Sequence, residues 1–272
     1  MLLALVRATH PGPAVTVTVV AVLLGVGVGL EPWRVVVLGV AIALDQVSVG
    51  LSNDWIDAAR DRETGRRDKP VARGEVSVAA VRGTAWAAAA GAILATTPLG
   101  PWALLVHVIG LGSAWSYNAF LKSTPLSPLP YAVSFGLLPA AVTLSRSTPG
   151  LPAWWAVAAG ALLGVAAHIA NALRDLDDDR RTGIRGLPQR LPPPVALAVA
   201  WAALLGAAVA LGVGLGLDRP VAVIGLAASV LIAIAGVALS RRASRWGFRL
   251  VLGAALLDVA LLVAAGTSLV AS

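Results

Sequence analysis

Cysteine is absent from this 272-residue chain, which removes disulfide frameworks and thiolate metal sites together. Lysine is nearly absent, being confined to Lys69 and Lys122. Charge of either sign is scarce: 13% of residues are charged against 58% apolar, and mean hydropathy is +0.82, far from the range of a soluble domain. The opening MLLALVRATHPGPA lacks the order of basic region, apolar region and small-residue cleavage site that marks a removable signal, so the first apolar run is expected to remain. A net charge of +7 comes with no aromatic-basic stripe on a soluble module, which leaves no case for a nucleic-acid partner.

What the chain has is apolar runs. Stretches near bilayer-spanning length fall at about 14–30, 35–55, 78–97, 102–121, 129–145, 153–173, 194–215, 221–239 and 249–270. The expected architecture is therefore all-α: one polytopic membrane domain over residues 1–272, a bundle of nine transmembrane helices around a central cavity. Pro128, Pro130 and Pro139 interrupt the fifth run, an arrangement that a broken helix beside a cavity would tolerate. Arginine and lysine alternate between loops. Arg7, the Arg60–Arg82 group, Lys122, the Arg174–Arg190 group and Arg241, Arg242, Arg245 and Arg249 fall on one side, and Arg34, Arg146 and Arg219 on the other. The positive-inside rule then places the N-terminus and the loops after spans two, four, six and eight in the cytoplasm, with the C-terminus on the far side of a cell inner membrane. Attraction to anionic lipid headgroups is a secondary effect of the same charge.

Acidic residues are distributed more unevenly still. Ten of the fourteen lie after spans two and six: Asp54, Asp57, Asp61, Glu63, Asp68 and Glu75, then Asp175, Asp177, Asp178 and Asp179. The two segments repeat each other at an offset of 118: Asn53 with Asn171, Asp57 with Asp175, Asp61 with Asp179, Arg62 with Arg180, Thr64 with Thr182, Gly65 with Gly183, Arg67 with Arg185 and Pro70 with Pro188. The shared pattern is N-x-x-x-D-x-x-x-D-R-x-T-G-x-R-x-x-P, in motif loops 53–74 and 171–190.

On a helix, positions i, i+4 and i+8 stack on one face about 6 Å apart. Asn53, Asp57 and Asp61 thus form one polar stripe, and Asn171, Asp175 and Asp179 its twin, with His168 one turn further inward. Hard oxygen ligands from two facing helices suit Mg²⁺ shared with substrate phosphates, and arginines beyond each stripe can grip the same oxygens. A solvated rim accounts for Glu63, Glu75, Asp177 and Asp178, but such a rim has no need of the same spacing twice.

These residues resemble a known family. NDWIDAARD matches the N-D-x-x-D-x-x-x-D signature of the UbiA superfamily of intramembrane prenyltransferases, DLDDD matches its D-x-x-x-D signature, and KPVARG resembles the R-P-L-x-x-G tail. The likeness extends over the whole chain, since nine helices with motif loops after the second and sixth is that family's architecture. It implies Mg²⁺-dependent transfer of a prenyl group from an isoprenyl diphosphate donor to a lipophilic or aromatic acceptor, such as a quinone precursor, within the lipid bilayer. It implies metal binding by Asn53, Asp54, Asp57, Asp61, Asp175 and Asp179, and diphosphate binding by Asn53, Arg66, Arg67, Lys69, Asn171, Arg180, Arg185 and Tyr117, with Lys122 reaching the diphosphate. Lys122 as a positive-inside anchor is the alternative.

Other reactions on this scaffold remain open: cyclisation of the diphosphate without an acceptor, or phosphoribosyl transfer to a polyprenyl phosphate. A transporter, which would carry its polar site at midplane, is a remote alternative. Asp45 is either a base or acceptor contact, or a partner for a neighbouring helix; Tyr131 and His168 are candidates to line the site. Asp258 has no partner assignable from sequence, and His10 and His107 are expected near interfaces without chemistry. GVGVG, lying inside span one, reads as helix packing, and RRASRWGFR as an interfacial anchor.

Overall fold

Prolines 11, 32, 101, 128, 193 and 220 each begin a helix, where the missing N–H has no intrahelical partner to lose. The computed structural model describes residues 2–65, 69–240 and 244–271, excepting the side chains of 2, 177, 180, 237–240 and 244–249. In chain order the helices are α1 (Leu2–Ala8), α2 (Pro11–Gly27), α3 (Pro32–Ile56), α4 (Ala58–Glu63), α5 (Val78–Thr96), α6 (Pro101–Ala119), α7 (Pro128–Thr143), α8 (Trp154–Arg174), α9 (Leu176–Arg181), α10 (Leu187–Arg190), α11 (Pro193–Leu215), α12 (Pro220–Ser240) and α13 (Ser244–Ala264). The long ones, α2, α3, α5 to α8 and α11 to α13, coincide with the apolar runs of the sequence. Four stretches, Pro32–Ile56, Val78–Leu99, Trp154–Arg174 and Pro193–Leu215, are long and apolar enough to cross a bilayer by themselves. Outward faces keep large apolar side chains exposed, among them Val36, Leu94, Ile224, Leu231 and Ile234, as a multi-pass membrane protein requires.

In lipid there is no hydrophobic gain from packing one helix on another, so close backbone approach at small residues takes over. The α7–α8 pair shows how this positions chemistry. A Cβ on Gly160 would lie 2.5 Å from the Phe135 carbonyl oxygen, and one on Gly164 2.4 Å from that of Tyr131. Four residues further along α8, His168 Nε2 meets Ser127 Oγ at 3.0 Å. Residues 160, 164 and 168 therefore run antiparallel against 135, 131 and 127, and the glycines bring the aromatic side chains of α7 onto α8.

The prolines of the fifth run do not break it. Pro128 and Pro130 sit in the first turn of α7, and Pro139 lies inside a continuous helix. Pro139 cannot donate to the Phe135 carbonyl, the same one that Gly160 approaches, so the disrupted rung is covered by a neighbouring backbone.

One end of the bundle gathers the α1–α2 corner, α4, the turn after α6, α9 and α10. The opposite end is pinned by Arg34 Nη1 donating to the Ser145 carbonyl at 2.9 Å and by Ala153 N donating to Leu269 O at 2.7 Å. The largest core joins α2, α3, α6 to α8 and α11 to α13, and a smaller one, with Ala4, Ala8, Leu51, Ala58, Val71 and Val81, lies under the first motif.

Candidate active site

The sequence repeat is a repeat of backbone. Both α3 and α8 stop at an aspartate: Asp57 N reaches Asn53 O at 3.0 Å and Asp175 N reaches Asn171 O at 3.3 Å. Each is followed by a six-residue helix whose next aspartate hydrogen-bonds back at 2.9 Å, Asp61 N to Asp57 O and Asp179 N to Asp175 O. The T-G pair ends each short helix. Thr64 Oγ1 donates to Arg60 O at 3.0 Å and Thr182 Oγ1 to Asp179 O at 3.1 Å, and Gly65 and Gly183 take left-handed φ values of 67° and 77°. Thr and Gly therefore recur as a stop signal, and the carboxylates recur for another reason.

In the first motif the carboxylates are buried: Asp54 is 1% exposed, Asp57 6% and Asp61 4%. Asp57 receives Lys122 Nζ on one oxygen and Arg60 Nη2 at 2.6 Å on the other, with Asn53 Nδ2 at 3.4 Å. Arg60 also stands 4.0 Å from Asp61. Burial pushes the Lys122 ammonium below its ordinary range, while the adjacent Asp57 opposes that shift. Asp54 turns to the other side of α3. Its Oδ1 pairs with Lys69 Nζ at 2.5 Å and with His10 Nε2 at 2.9 Å, and Lys69 reaches Asn53 Oδ1 at 3.2 Å. Asn53 thus lies between the two ion pairs, and Asn118 fixes the helix beneath it through Ser52 Oγ at 2.7 Å and Val49 O at 3.0 Å.

The second motif is more open. The Asp175 side chain is 41% exposed, Asn171 is exposed, and Asp179 accepts from Gln189 Nε2 at 2.7 Å. The Tyr117 hydroxyl lies within electrostatic reach of both Asp179 and Asp57. Tyr117 is edge-on to Tyr131 at 5.0 Å and to His168 at 5.6 Å, and Tyr131 stacks towards Phe135 at 6.2 Å. An aromatic wall therefore begins where the carboxylates end. Below it, an apolar cavity between α2, α3, α6 and α7 is lined by Ile42, Leu111, Phe135 and Leu138.

Of the residues expected from sequence, the structure brings together Asn53, Asp57, Asp61 and Lys122, with Tyr117 within electrostatic reach of Asp57 and Asp179. Asp175 is at the rim, and Arg185 points to solvent with its carbonyl taken by Arg190 Nε at 2.7 Å. Arg66 and Arg67 lie outside the described residues, as does the Arg180 side chain. His168 gives Nε2 to Ser127, whose oxygen also accepts from Leu187 N at 2.9 Å, so it ties α7 to the loop of the second motif. Sequence reasoning missed three partners: His10, Arg60 and Gln189. The i, i+3 spacing of Asp57 and Arg60 was a usable signal; His10 and Gln189 had none. His10 was expected to carry no chemistry, yet it sits on Asp54 from a left-handed turn with φ 53°, a conformation a non-glycine residue keeps only when its surroundings enforce it.

The donor set fits Mg²⁺. Among the described residues no three acidic, histidine or cysteine side chains converge into a closed cage. Mg²⁺ shared with a substrate does not require one, because it binds through one or two carboxylates and takes its other ligands from phosphate and water. The oxygens of Asn53, Asp57, Asp61, Asp175 and Asp179 are of the right hardness for it.

Comparison with known proteins bears on the family and the fold. Residues 14–257 match the model of the UbiA prenyltransferase family. The bacteriochlorophyll synthase 33 kDa chain of Cereibacter sphaeroides is 29% identical over 185 residues, which are 62% of this chain and 59% of that relative's length. A UbiA homologue from Archaeoglobus fulgidus, solved with GPP and Mg²⁺, superposes with a TM-score of 0.74 at 16% identity, covering 96% of this chain and 99% of that one. One from Aeropyrum pernix K1, solved without ligand, gives 0.70 at 22% identity over 90% of this chain and 96% of that one. The chain belongs to the UbiA prenyltransferase family.

Proposed function

For this member of the UbiA prenyltransferase family, we propose Mg²⁺-dependent transfer of a prenyl group from an allylic isoprenyl diphosphate to a lipophilic acceptor, at the mouth between the two motifs. The observation that carries the proposal is that Asp57 and Asp179, from separate halves of the repeat, both lie within electrostatic reach of Tyr117, with an apolar cavity further along the same helices. A molecule with a doubly charged head and a long hydrocarbon tail fits that order of surfaces. The A. fulgidus homologue solved with GPP and Mg²⁺ supports the same ligand class.

Ionisation of an allylic diphosphate breaks the C1–O bond, and the electron pair leaves with the diphosphate. Asn53, Asp57, Asp61, Asp175 and Asp179 would hold Mg²⁺, which supplies charge neutralisation of that leaving group when bound. Lys122, held against Asp57, presents a buried ammonium to the same oxygens, and burial strengthens its electrostatic pull. Arg60 keeps the Asp57 carboxylate oriented by a charge-assisted bond. Lys69 and His10 position Asn53 by fixing Asp54 on the far face of α3.

The allylic cation left behind has to meet an acceptor before water does. The rings of Tyr117, Tyr131 and Phe135 offer π faces to that cation, and the apolar cavity excludes water around the tail. The acceptor attacks C1 and loses a proton. The motif end carries the basic loops around Arg7, Arg60 and Arg174, which supports a cytoplasmic site in a cell inner membrane.

The test is diphosphate release from geranylgeranyl diphosphate by the purified protein, with Mg²⁺ or EDTA and with or without a panel of aromatic acceptors, analysing the organic extract. Acceptor-dependent release with a prenylated product is expected. Release that ignores acceptor and yields a cyclic hydrocarbon or alcohol would replace transfer with cyclisation.

A further inference from the structure

Asp45 on α3 and His107 on α6 are buried at membrane depth, 8% and 6% exposed, and both line the apolar cavity. The repeat does not contain them. Eight residues separate Asp45 from Asn53, which puts the pair about 12 Å below the motif mouth along α3. It therefore lies beside the body of a bound lipid and away from the diphosphate.

The hydrogen bonds around the pair leave two atoms facing each other. Thr96 Oγ1 donates to the Ala92 carbonyl at 2.8 Å, so at 2.6 Å from His107 Nδ1 it acts as acceptor and Nδ1 carries the proton. The free ring atom is Nε2. Asp45 uses Oδ2 to accept from Gln46 Nε2 at 2.9 Å and presents Oδ1 3.5 Å from Nε2. Neither Oδ1 nor Nε2 has a hydrogen bond. The two atoms stand 3.5 Å apart in an apolar wall with no hydrogen bond between them, and leaving buried polar atoms unpaired is costly. Ser134 Oγ, also in the wall, donates to the Gly110 carbonyl at 3.0 Å and keeps only acceptor capacity towards the cavity.

We infer that Asp45 and His107 form a hydroxyl-binding subsite that takes the O–H of a lipophilic alcohol or phenol, the proton lying between Oδ1 and Nε2. An ether or ketone of the same shape offers no proton and is disfavoured. In the proposed transferase such a subsite selects the acceptor by its hydroxyl; that role rests on the transferase reading, whereas the binding itself does not.

The experiment is equilibrium dialysis of the full chain in detergent against 1-naphthol and 1-methoxynaphthalene, with protein-free micelles in the opposite chamber. Saturable naphthol binding, tighter than ether binding by about tenfold or more, is expected for the wild type. Asp45→Leu and His107→Phe should erase the preference, and Asp45→Asn, which keeps its shape and one acceptor, should reduce it severalfold. Equal binding of the two ligands by the wild type, as a resident water between Oδ1 and Nε2 would produce, overturns the inference; so does a preference that survives in folded Asp45→Asn and His107→Phe. Asp57→Asn should keep the naphthol preference, so loss of turnover and loss of this subsite are separable.

Discussion

Lys69 Nζ lies 2.5 Å from Asp54 Oδ1, and that pair fastens the loop of the first motif to the buried side of α3. Both residues belong to the motif by sequence, and both are used here to hold it. Removing one partner strands the other charge in a buried site, which costs about 3–5 kcal/mol. Lys69→Met is expected to lower the thermal midpoint in detergent markedly, and adding Asp54→Leu should recover much of the loss. A wild-type midpoint for Lys69→Met would show that the pair is not structural.

Gly50 carries the next consequence. A Cβ there would lie 2.4 Å from the Thr9 carbonyl oxygen, so Gly50→Ala has to push away the corner that carries His10. A loss of about 1–3 kcal/mol is expected. Gly83, with nothing within 4 Å of a built Cβ, is the matched control, and Gly83→Ala should be close to silent in the same melting experiment.

The aromatic wall should act on rate more than on stability. Tyr131→Leu removes a ring 5.0 Å from Tyr117 and 4.9 Å from His168. A cation–π contribution of about 0.5–2 kcal/mol corresponds to a fall in kcat of roughly two- to thirtyfold. Single-turnover measurement with Tyr131→Phe, which keeps the ring, should stay near wild type.

Surface charge in the same loop should matter little. Glu75 pairs with Arg73 at 2.8 Å and more loosely with Arg7 at 3.9 Å, all partly exposed. Such pairs are worth about 0–1 kcal/mol, so Glu75→Gln should leave both turnover and melting almost unchanged.

Long apolar runs made the bundle legible in the sequence, because a membrane span is specified by composition over some twenty positions. The repeat made the motif ends legible, since identical spacing appears as identity at a constant offset. Contacts between residues far apart in sequence were not legible: nothing in the chain links His10 to Asp54, or Asp45 to His107. The effect of proline was not legible for a related reason. A broken helix would have tolerated Pro139, but the helix runs through it, and the Phe135 carbonyl it leaves free is approached by Gly160 on another helix. Asp258 likewise finds Ser229 Oγ at 2.9 Å only once α12 and α13 are packed.

The central claim is that the two halves of the repeat build one site. Mg²⁺-dependent diphosphate release from geranylgeranyl diphosphate should be compared for wild type, Asp57→Asn, Asp179→Asn and the double variant, with folding checked by melting. Each single substitution is expected to lower the rate by about a hundredfold or more, with the double variant scarcely worse than either single one, as for groups that act as a unit. A near-wild-type rate in either single variant would contradict the claim.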